Sequence, residues 1–148
     1  MRYLEYEHLK HFEKIAKLHV ETLKINVPDY EINIKNIEDN FKKLDKNKDI
    51  IYVAEQDKNL IGFFWLKIFK DEIHINQLVI SKKFRNLRFG ISFLQKIIAI
   101  TKKLKKNKIT LWATKENKVA TELFKKFGFK IIEKKEKRQK MQLNLNLN

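Results

Sequence analysis

The sequence predicts an α/β fold, a mixed and mostly antiparallel sheet of about seven strands with helices on both faces. Two patterns support this prediction. Apolar residues recur at helical spacing in some segments and at strand spacing in others, in the order β-α-α-β-β-β-α-β-α-β-β. A strand–helix–strand unit over residues 73–114 also predicts one right-handed parallel crossover. The length of 148 residues, with 3 Gly and 1 Pro, predicts a single domain over 1–148.

The first half of the chain begins with a short predicted strand at Met1–Tyr6. Apolar residues then recur at helical spacing from His11 to about Ile25, and again over Lys35–Lys43. After these helices the pattern changes to short apolar runs separated by turn residues. We therefore expect a meander of three strands at 50–55, 60–69 and 73–80.

The second half alternates helices and strands. Helical spacing returns over Leu87–Leu104 and Asn117–Phe127, and Gly128 stands where a left-handed residue would end the second helix. The predicted strands are Lys108–Thr114, Phe129–Lys135 and Arg138–Leu147. Leucine alternates with asparagine in the last strand, which would expose an apolar edge, so we expect dimerisation through it.

Charge and composition narrow the classes of function. Residues 1–60 carry a net charge of −1 and residues 61–148 one of +16, so the second half should attract an anion. The absence of Cys excludes disulfides and thiolate metal sites, and we expect no metal cofactor. No apolar run approaches the length of a membrane span, so we expect a cytoplasmic protein without a membrane partner.

The junction VISKKFRNLRFGISFLQKI is suited to an anionic ligand. A strand ends at Ile80, and a long helix begins near Leu87. The first amides of a helix are unpaired and its dipole is positive at that end, which favours phosphate. Four cations accompany it, namely Lys82, Lys83, Arg85 and Arg88.

Two runs resemble motifs of one protein family. The run Arg85–Gly90 resembles the Q/R-x-x-G-x-G/A loop of the GNAT superfamily, the acyl-CoA-dependent N-acyltransferases. The run Asn117–Phe129 resembles the N-x-x-A-x-x-x-Y-x-x-x-G-F segment of the same family. The resemblance extends over roughly residues 2–147, and it implies a GNAT-like sheet and acetyl-CoA as co-substrate.

The resemblance also implies a cofactor site. The loop amides would hold the CoA pyrophosphate, and the preceding strand would separate from its neighbour and leave backbone groups of Leu78 and Ile80 for the pantetheine arm. Asn117 would reach the pantetheine, and the N–H of Leu78 would stabilise the oxyanion. The full set of implied cofactor-binding residues is Leu78, Val79, Ile80, Arg85, Asn86, Leu87, Arg88, Gly90, Ile91, Asn117 and Phe124.

The same resemblance implies that His74 is the general base, because His74 falls on the strand position where family members carry Glu or His. Alternation places Asn76 on the same face. The alternative is that His74 makes one structural hydrogen bond. The chain departs from the motifs at Arg88, which replaces a Gly, and at Phe124, which replaces the Tyr that commonly protonates the thiolate.

We therefore expect transfer of an acetyl group from acetyl-CoA to a primary amine of a small molecule, peptide or protein. The alternative is a catalytically impaired GNAT-like module that binds nucleic acid or protein through its basic C-terminal half. Aromatic residues are not interleaved with the lysine runs, which makes nucleic acid the weaker expectation. A cationic amine is suggested by acidic residues in the expected acceptor pocket, namely Asp29, Glu31, Glu38 and Asp39.

Overall fold

The structure, a computed structural model, describes residues 1–26, 34–85 and 87–146. For residues 23–26, 34 and 87 it describes the backbone only. The turn predicted at Pro28, the acidic residues Asp29 and Glu31, and the loop residue Asn86 lie outside the described residues.

The order of elements agrees with the prediction. Within the described ranges the strands are β1 (Arg2–Glu5), β2 (Asp49–Gln56), β3 (Asn59–Ile68), β4 (Glu72–Ile80), β5 (Lys108–Thr114), β6 (Lys130–Lys134) and β7 (Arg138–Asn144). The α-helices are α1 (His8–Asn26), α2 (Ile34–Lys42), α3 (Leu87–Lys103) and α4 (Lys118–Lys126). A short 3-10 helix at Lys82–Phe84, which the sequence did not indicate, precedes α3.

The strands form one seven-stranded sheet in the order β1-β2-β3-β4-β5-β7-β6. β4 and β5 are parallel, as the strand–helix–strand unit predicts, whereas β1 with β2, β5 with β7 and β6 with β7 are antiparallel. The predicted fold class, a mixed and mostly antiparallel α/β sheet, is confirmed.

The expectation that the last strand forms an exposed edge is wrong. β7 lies between β5 and β6, and β6 is the outer strand. Met141 and Leu143 are buried, so the alternation of apolar and polar residues in this strand reflects an interior position with one covered face. The described residues of β7 therefore offer no open strand edge for dimerisation.

The described chain divides into two compact units. The first comprises Met1–Trp65 and Gln77–Arg85. Its core joins the inward faces of α1 and α2 to β2 and β3, through residues such as Ile15, Phe41 and Phe63. The Phe41 ring lies 5.1 Å from that of Trp65, whose indole N–H donates to Asp49.

Gly62 on β3 lies so close to the backbone of β4 that no other residue fits there. A Cβ at residue 62 would lie 2.1 Å from the carbonyl oxygen of Val79, a distance that no side chain can occupy. The nearby N–H of Ser81 donates to the carbonyl of Ile61. A glycine in a strand interior often marks such a close approach of two backbones, and here it fixes the end of β4 against β3.

The second unit comprises Leu66–Asn76 and Asn86–Asn148. α3 packs against β5 and α4. At the end of α4, the N–H of Phe129 donates to the carbonyl of Phe124 and that of Gly128 to Lys125, and the two Phe rings lie 5.6 Å apart. These are the bonds and the apolar contact of a Schellman motif, and the φ of +100° at Gly128 confirms the predicted left-handed residue.

No helix in the described part of the chain has the length and apolar character needed to cross a membrane.

Candidate active site

His74 lies in the second unit, in a hydrogen-bonded chain of three side chains. β4 and β5 pair in parallel, so that His74 stands opposite Thr110. The His74 Nδ1 lies 2.8 Å from the Thr110 Oγ1, and the Thr110 hydroxyl donates to Oε2 of Glu72 over 2.5 Å. Thr110 is 1% exposed, whereas His74 and Glu72 are half-buried. The chain therefore runs from a carboxylate through a buried hydroxyl to an imidazole.

The surroundings of His74 favour its neutral form. Burial lowers the pKa of the ring below its usual value of 6.5, and the positive charges of Lys140 and Lys67 lower it further. The carboxylate of Glu72 acts in the opposite direction. A lowered pKa favours the neutral imidazole, which is the form that is able to accept a proton.

Within the second unit, the parallel pairing of β4 with β5 joins Glu72–Ile75 to Lys108–Leu111. Asn76 is the first residue beyond the ladder, and its side chain is exposed. Both residues lie in β4, so strand alternation assigns Asn76 to the face of His74.

The end of β4 belongs to the first unit. Val79 is buried, and Leu78 and Ile80 are partly buried. The expectation that the backbone groups of Ile80 are unpaired is wrong for its carbonyl, which accepts a hydrogen bond of 3.0 Å from Nε of Arg85. The Arg85 side chain therefore bonds through Nε to the end of the strand that precedes it.

The start of α3 lies in the second unit and includes Arg88, Gly90 and Ile91. Non-glycine residues with positive φ in the described ranges are Asp57, Lys58 and Lys105, so Arg88 has an ordinary helical φ although it replaces a motif glycine. Its side chain is exposed, whereas Gly90 is buried. The backbone N–H of Arg88 is therefore part of a regular first helical turn.

Asn117 and Phe124 have local structural roles. The Asn117 side chain accepts a hydrogen bond of 3.2 Å from the N–H of Ala120 and so caps α4. Phe124 is buried against Phe129, as a core residue of the helix end. These contacts are satisfied within the second unit.

Of the acidic residues expected in an acceptor pocket, Glu38 and Asp39 are described. The Glu38 carboxylate pairs with Nζ of Lys42 at 2.9 Å, one turn along α2, and this contact lowers the pKa of Glu38. The negative charge of Glu38 therefore already has a cation beside it.

The family model of the Acetyltransferase (GNAT) family matches residues 12–129. The chain belongs to the GNAT family. Most of the described sheet and all four α-helices overlap the matched range. A comparison with curated protein sequences finds no significant match.

Solved structures of GNAT acetyltransferases share this fold. The PaiA N-acetyltransferase of Thermoplasma acidophilum, in complex with coenzyme A, is 18% identical with a TM-score of 0.80, over 97% of this chain and 99% of that one. A spermidine N-acetyltransferase SpeG variant of Vibrio cholerae is 18% identical with a TM-score of 0.78, over 97% and 92%. The ribosomal-protein-alanine N-acetyltransferase of Brucella melitensis is 12% identical with a TM-score of 0.80, over 98% and 100%.

The sequence patterns do not predict three features of this GNAT chain. The first is the pair of residues behind His74. Thr110 contacts His74 and Glu72 contacts Thr110 because β4 and β5 pair in this parallel register, which the spacing of apolar residues does not reveal.

The second feature lies in the first unit, where Nε2 of Gln77 lies 3.2 Å from Nε2 of His19 and the Gln77 Oε1 is buried without a hydrogen-bond partner. Burial lowers the pKa of His19. A histidine on the apolar face of a predicted helix was the available signal for this pair.

The third missed feature is a cationic cluster around Trp112 in the second unit. Lys135 Nζ, Arg138 Cζ and Lys140 Nζ lie 5.0, 4.3 and 5.9 Å from the ring centroid. Trp112 pairs with Lys140 across β5 and β7, which brings an aromatic residue among the C-terminal cations. The lysine runs contain no interleaved aromatic residue in the sequence, but strand pairing brings Trp112 beside their cations.

Proposed function

We propose that this protein transfers an acetyl group from acetyl-CoA to a primary amine of a small molecule, peptide or protein, by direct attack of the amine. The observation that carries the proposal is the half-buried His74 on β4 of a GNAT-family chain, held through Nδ1 by the buried Thr110. An attacking amine is protonated at neutral pH and must lose a proton, so a neutral imidazole is the group that the reaction requires.

The residues at the start of α3 fit the pyrophosphate of CoA. The helix begins at Leu87, and the N–H groups in the first turn of a helix point outward along its axis, where the helix dipole is positive. The exposed Arg88 adds a cation that can bind phosphate oxygens in a bidentate way. We expect the N–H groups of Asn86, Leu87, Arg88, Gly90 and Ile91 to donate to the diphosphate.

The end of β4 fits the extended part of the cofactor in the same proposal. We expect backbone groups of Leu78 and Val79, with the N–H of Ile80, to pair with the pantetheine arm, as an added strand would. The N–H of Leu78 would stabilise the oxyanion of the thioester carbonyl during attack. Arg85, exposed at the end of this segment, would contribute charge, and Asn117 would contact the pantetheine with the amide nitrogen that its cap leaves unused.

The roles of the remaining groups follow from their chemistry. His74 accepts the proton of the amine, directly or through water, and Asn76 assists by hydrogen bonding. The free amine then attacks the acetyl carbon, so that the new N–C bond forms as the C–S bond breaks and the CoA thiolate leaves, and the second proton that the nitrogen loses goes to water or to the thiolate. Phe124 has no hydroxyl and is buried, so we expect water to protonate the thiolate, or the thiolate to leave as such.

Calorimetric titration with acetyl-CoA and acetyl transfer to a panel of primary amines test the proposal. We expect saturable micromolar binding and transfer to at least one amine class. Arg88→Met should weaken binding about tenfold, because it removes a charge-assisted phosphate contact. Lys103→Met is the matched control, since it removes an exposed cation from the other end of α3. Equal affinities of both variants would contradict the placement of the diphosphate.

A second candidate function is a basic module that binds nucleic acid or protein without catalysis. The cluster of Lys135, Arg138 and Lys140 around Trp112 favours it, because cations beside a partly exposed aromatic ring suit a stacked base and its phosphate. Titration with single-stranded and duplex RNA at two salt concentrations separates the functions. The module would give a steep salt dependence that Trp112→Ala weakens and would give no acetyl-CoA binding.

A further inference from the structure

The hydrogen bonds around His74 determine which ring nitrogen carries the proton. A threonine hydroxyl has one proton to donate, and a carboxylate only accepts. The Thr110 hydroxyl donates its proton to Glu72, so Oγ1 can only accept from His74. The nitrogen facing it, Nδ1, must therefore carry a proton. In a neutral imidazole the other nitrogen, Nε2, then has the lone pair.

We propose that Thr110 and Glu72 are positioning residues that hold His74 with Nδ1 protonated and Nε2 as the proton-accepting atom. This inference rests on the proposed function, in which His74 is the base. Thr110 fixes the plane and the tautomer of the ring, and Glu72 fixes the direction of the Thr110 hydroxyl. Neither residue has to touch the substrate.

The arrangement also suits the form of His74 that the reaction produces. Nε2 takes a proton from the substrate ammonium, and the free amine then bonds to the acetyl carbon as the C–S bond breaks and the thiolate leaves. The resulting imidazolium still donates through Nδ1 to Thr110, so no hydrogen bond has to break. The Glu72 carboxylate offsets part of the new positive charge across the hydroxyl, and the proton is afterwards released to water.

Because Thr110 is buried, water does not compete with it for the Nδ1 of His74. At 1% exposure the hydroxyl has no access to bulk water, which could otherwise offer Nδ1 an alternative partner. Charged groups act on the ring from three strands, namely Glu72 on β4, Lys67 on β3 and Lys140 on β7. Glu72 favours the imidazolium and the two lysines oppose it.

The tautomer is measurable by nitrogen-15 NMR of labelled protein without any assay of activity. We expect a protonated Nδ1 and an unprotonated Nε2 for His74 above its pKa, with the signals assigned by their loss in His74→Gln. Thr110→Val should shift the ring toward a mixture of tautomers. Thr101→Val is the matched control, since Thr101 is equally buried in the second unit and its hydroxyl donates to the carbonyl of Ile97.

Kinetics test the same inference through the reaction. Thr110→Val should lower kcat about tenfold or more with little change in the KM for acetyl-CoA, whereas Thr110→Ser, which keeps the hydroxyl, should restore most of the rate. Glu72→Gln should move the acidic limb of the kcat/KM profile to lower pH, because it removes a charge that favours protonation. Thr101→Val should leave both quantities near wild type.

An unprotonated Nδ1 in the wild-type protein would overturn the inference, even if Thr110→Val fails to fold. So would wild-type kcat and an unshifted pH profile in Thr110→Val and Glu72→Gln. If the expected tautomer is found but His74→Gln retains full activity, the hydrogen-bonded chain exists and the proposed role of His74 as base is wrong. The two failures are thus distinguishable.

Discussion

Each compact unit contains a half-buried histidine whose pKa is lowered by burial, and the two differ in their partners. His74 bonds to a hydroxyl that is itself bonded to a carboxylate, so each partner has a defined role. His19 faces the amide of Gln77, whose oxygen is buried without a partner. Burial is therefore common to both histidines, and the directed hydrogen-bond chain is the feature that favours His74 as the proposed base.

The largest expected effect is a difference in kcat between variants of the two histidines. His74→Gln should lower kcat for acetyl transfer by about 10²- to 10⁴-fold, the usual contribution of a general base. His19→Gln should change kcat by less than about threefold, because His19 has no part in the proposed chemistry. Steady-state assays on both purified variants check this. A comparable loss in His19→Gln would remove the contrast.

The second prediction concerns stability. Thr110→Val leaves the Nδ1 proton of His74 and the Glu72 carboxylate without their common partner, and it should lower the free energy of unfolding by about 1–3 kcal/mol. Replacing both members of the other pair, His19→Leu with Gln77→Leu, should be neutral or stabilising, because it removes an unsatisfied buried oxygen. Urea denaturation of both variants measures the difference. A larger loss in the double variant would contradict the comparison.

The third prediction concerns the pH dependence of stability. Burial lowers the pKa of His11, His19 and His74 in the folded state, so the unfolded chain binds protons more readily as pH falls. Stability should therefore be fully present above about pH 6.5 and should decrease below it, until the pH reaches the folded-state pKa values. The His19→Leu, Gln77→Leu variant should show a shallower decrease in melting temperature between pH 7 and pH 5. An equal slope would show that His19 does not contribute.

The smallest expected effect concerns the charged groups that shift the pKa of His74. Lys140→Met removes a positive charge that lowers the pKa of His74, so the acidic limb of kcat/KM should move to higher pH. Glu72→Gln should move it in the opposite direction. Lys135→Met is the control, because Lys135 also lies over Trp112 but does not contribute to the shift of His74. Identical profiles for the two lysine variants would exclude the electrostatic role of Lys140.

The sequence was sufficient to predict the elements of the fold. Their order and the left-handed Gly128 follow from local patterns of apolar residues and from backbone stereochemistry. Strand order does not follow from such patterns, and for this reason the alternation in β7 wrongly indicates an edge strand. His11 illustrates the same limit, because it lies buried and accepts a hydrogen bond from the N–H of Glu7, which apolar spacing does not indicate.

The candidate site was predictable only in part. His74 was identified from a family resemblance, whereas its partners depend on a pairing that joins residues 36 positions apart. Trp112 and Lys140 come together through the antiparallel register of β5 and β7, and again no local signal indicates this. Local propensity thus predicts which residues share a strand, but contacts between strands require the tertiary structure.

The parallel ladder between β4 and β5 has a consequence for heat inactivation. Within the second unit it joins His74 and Thr110 in the last rung but one, in a run shorter than the seven-residue pairing of β5 with β7. Short ladder ends open in local fluctuations that cost less than global unfolding. Warming should therefore misalign the imidazole while the rest of the chain stays folded, and catalytic inactivation should set in below the melting temperature.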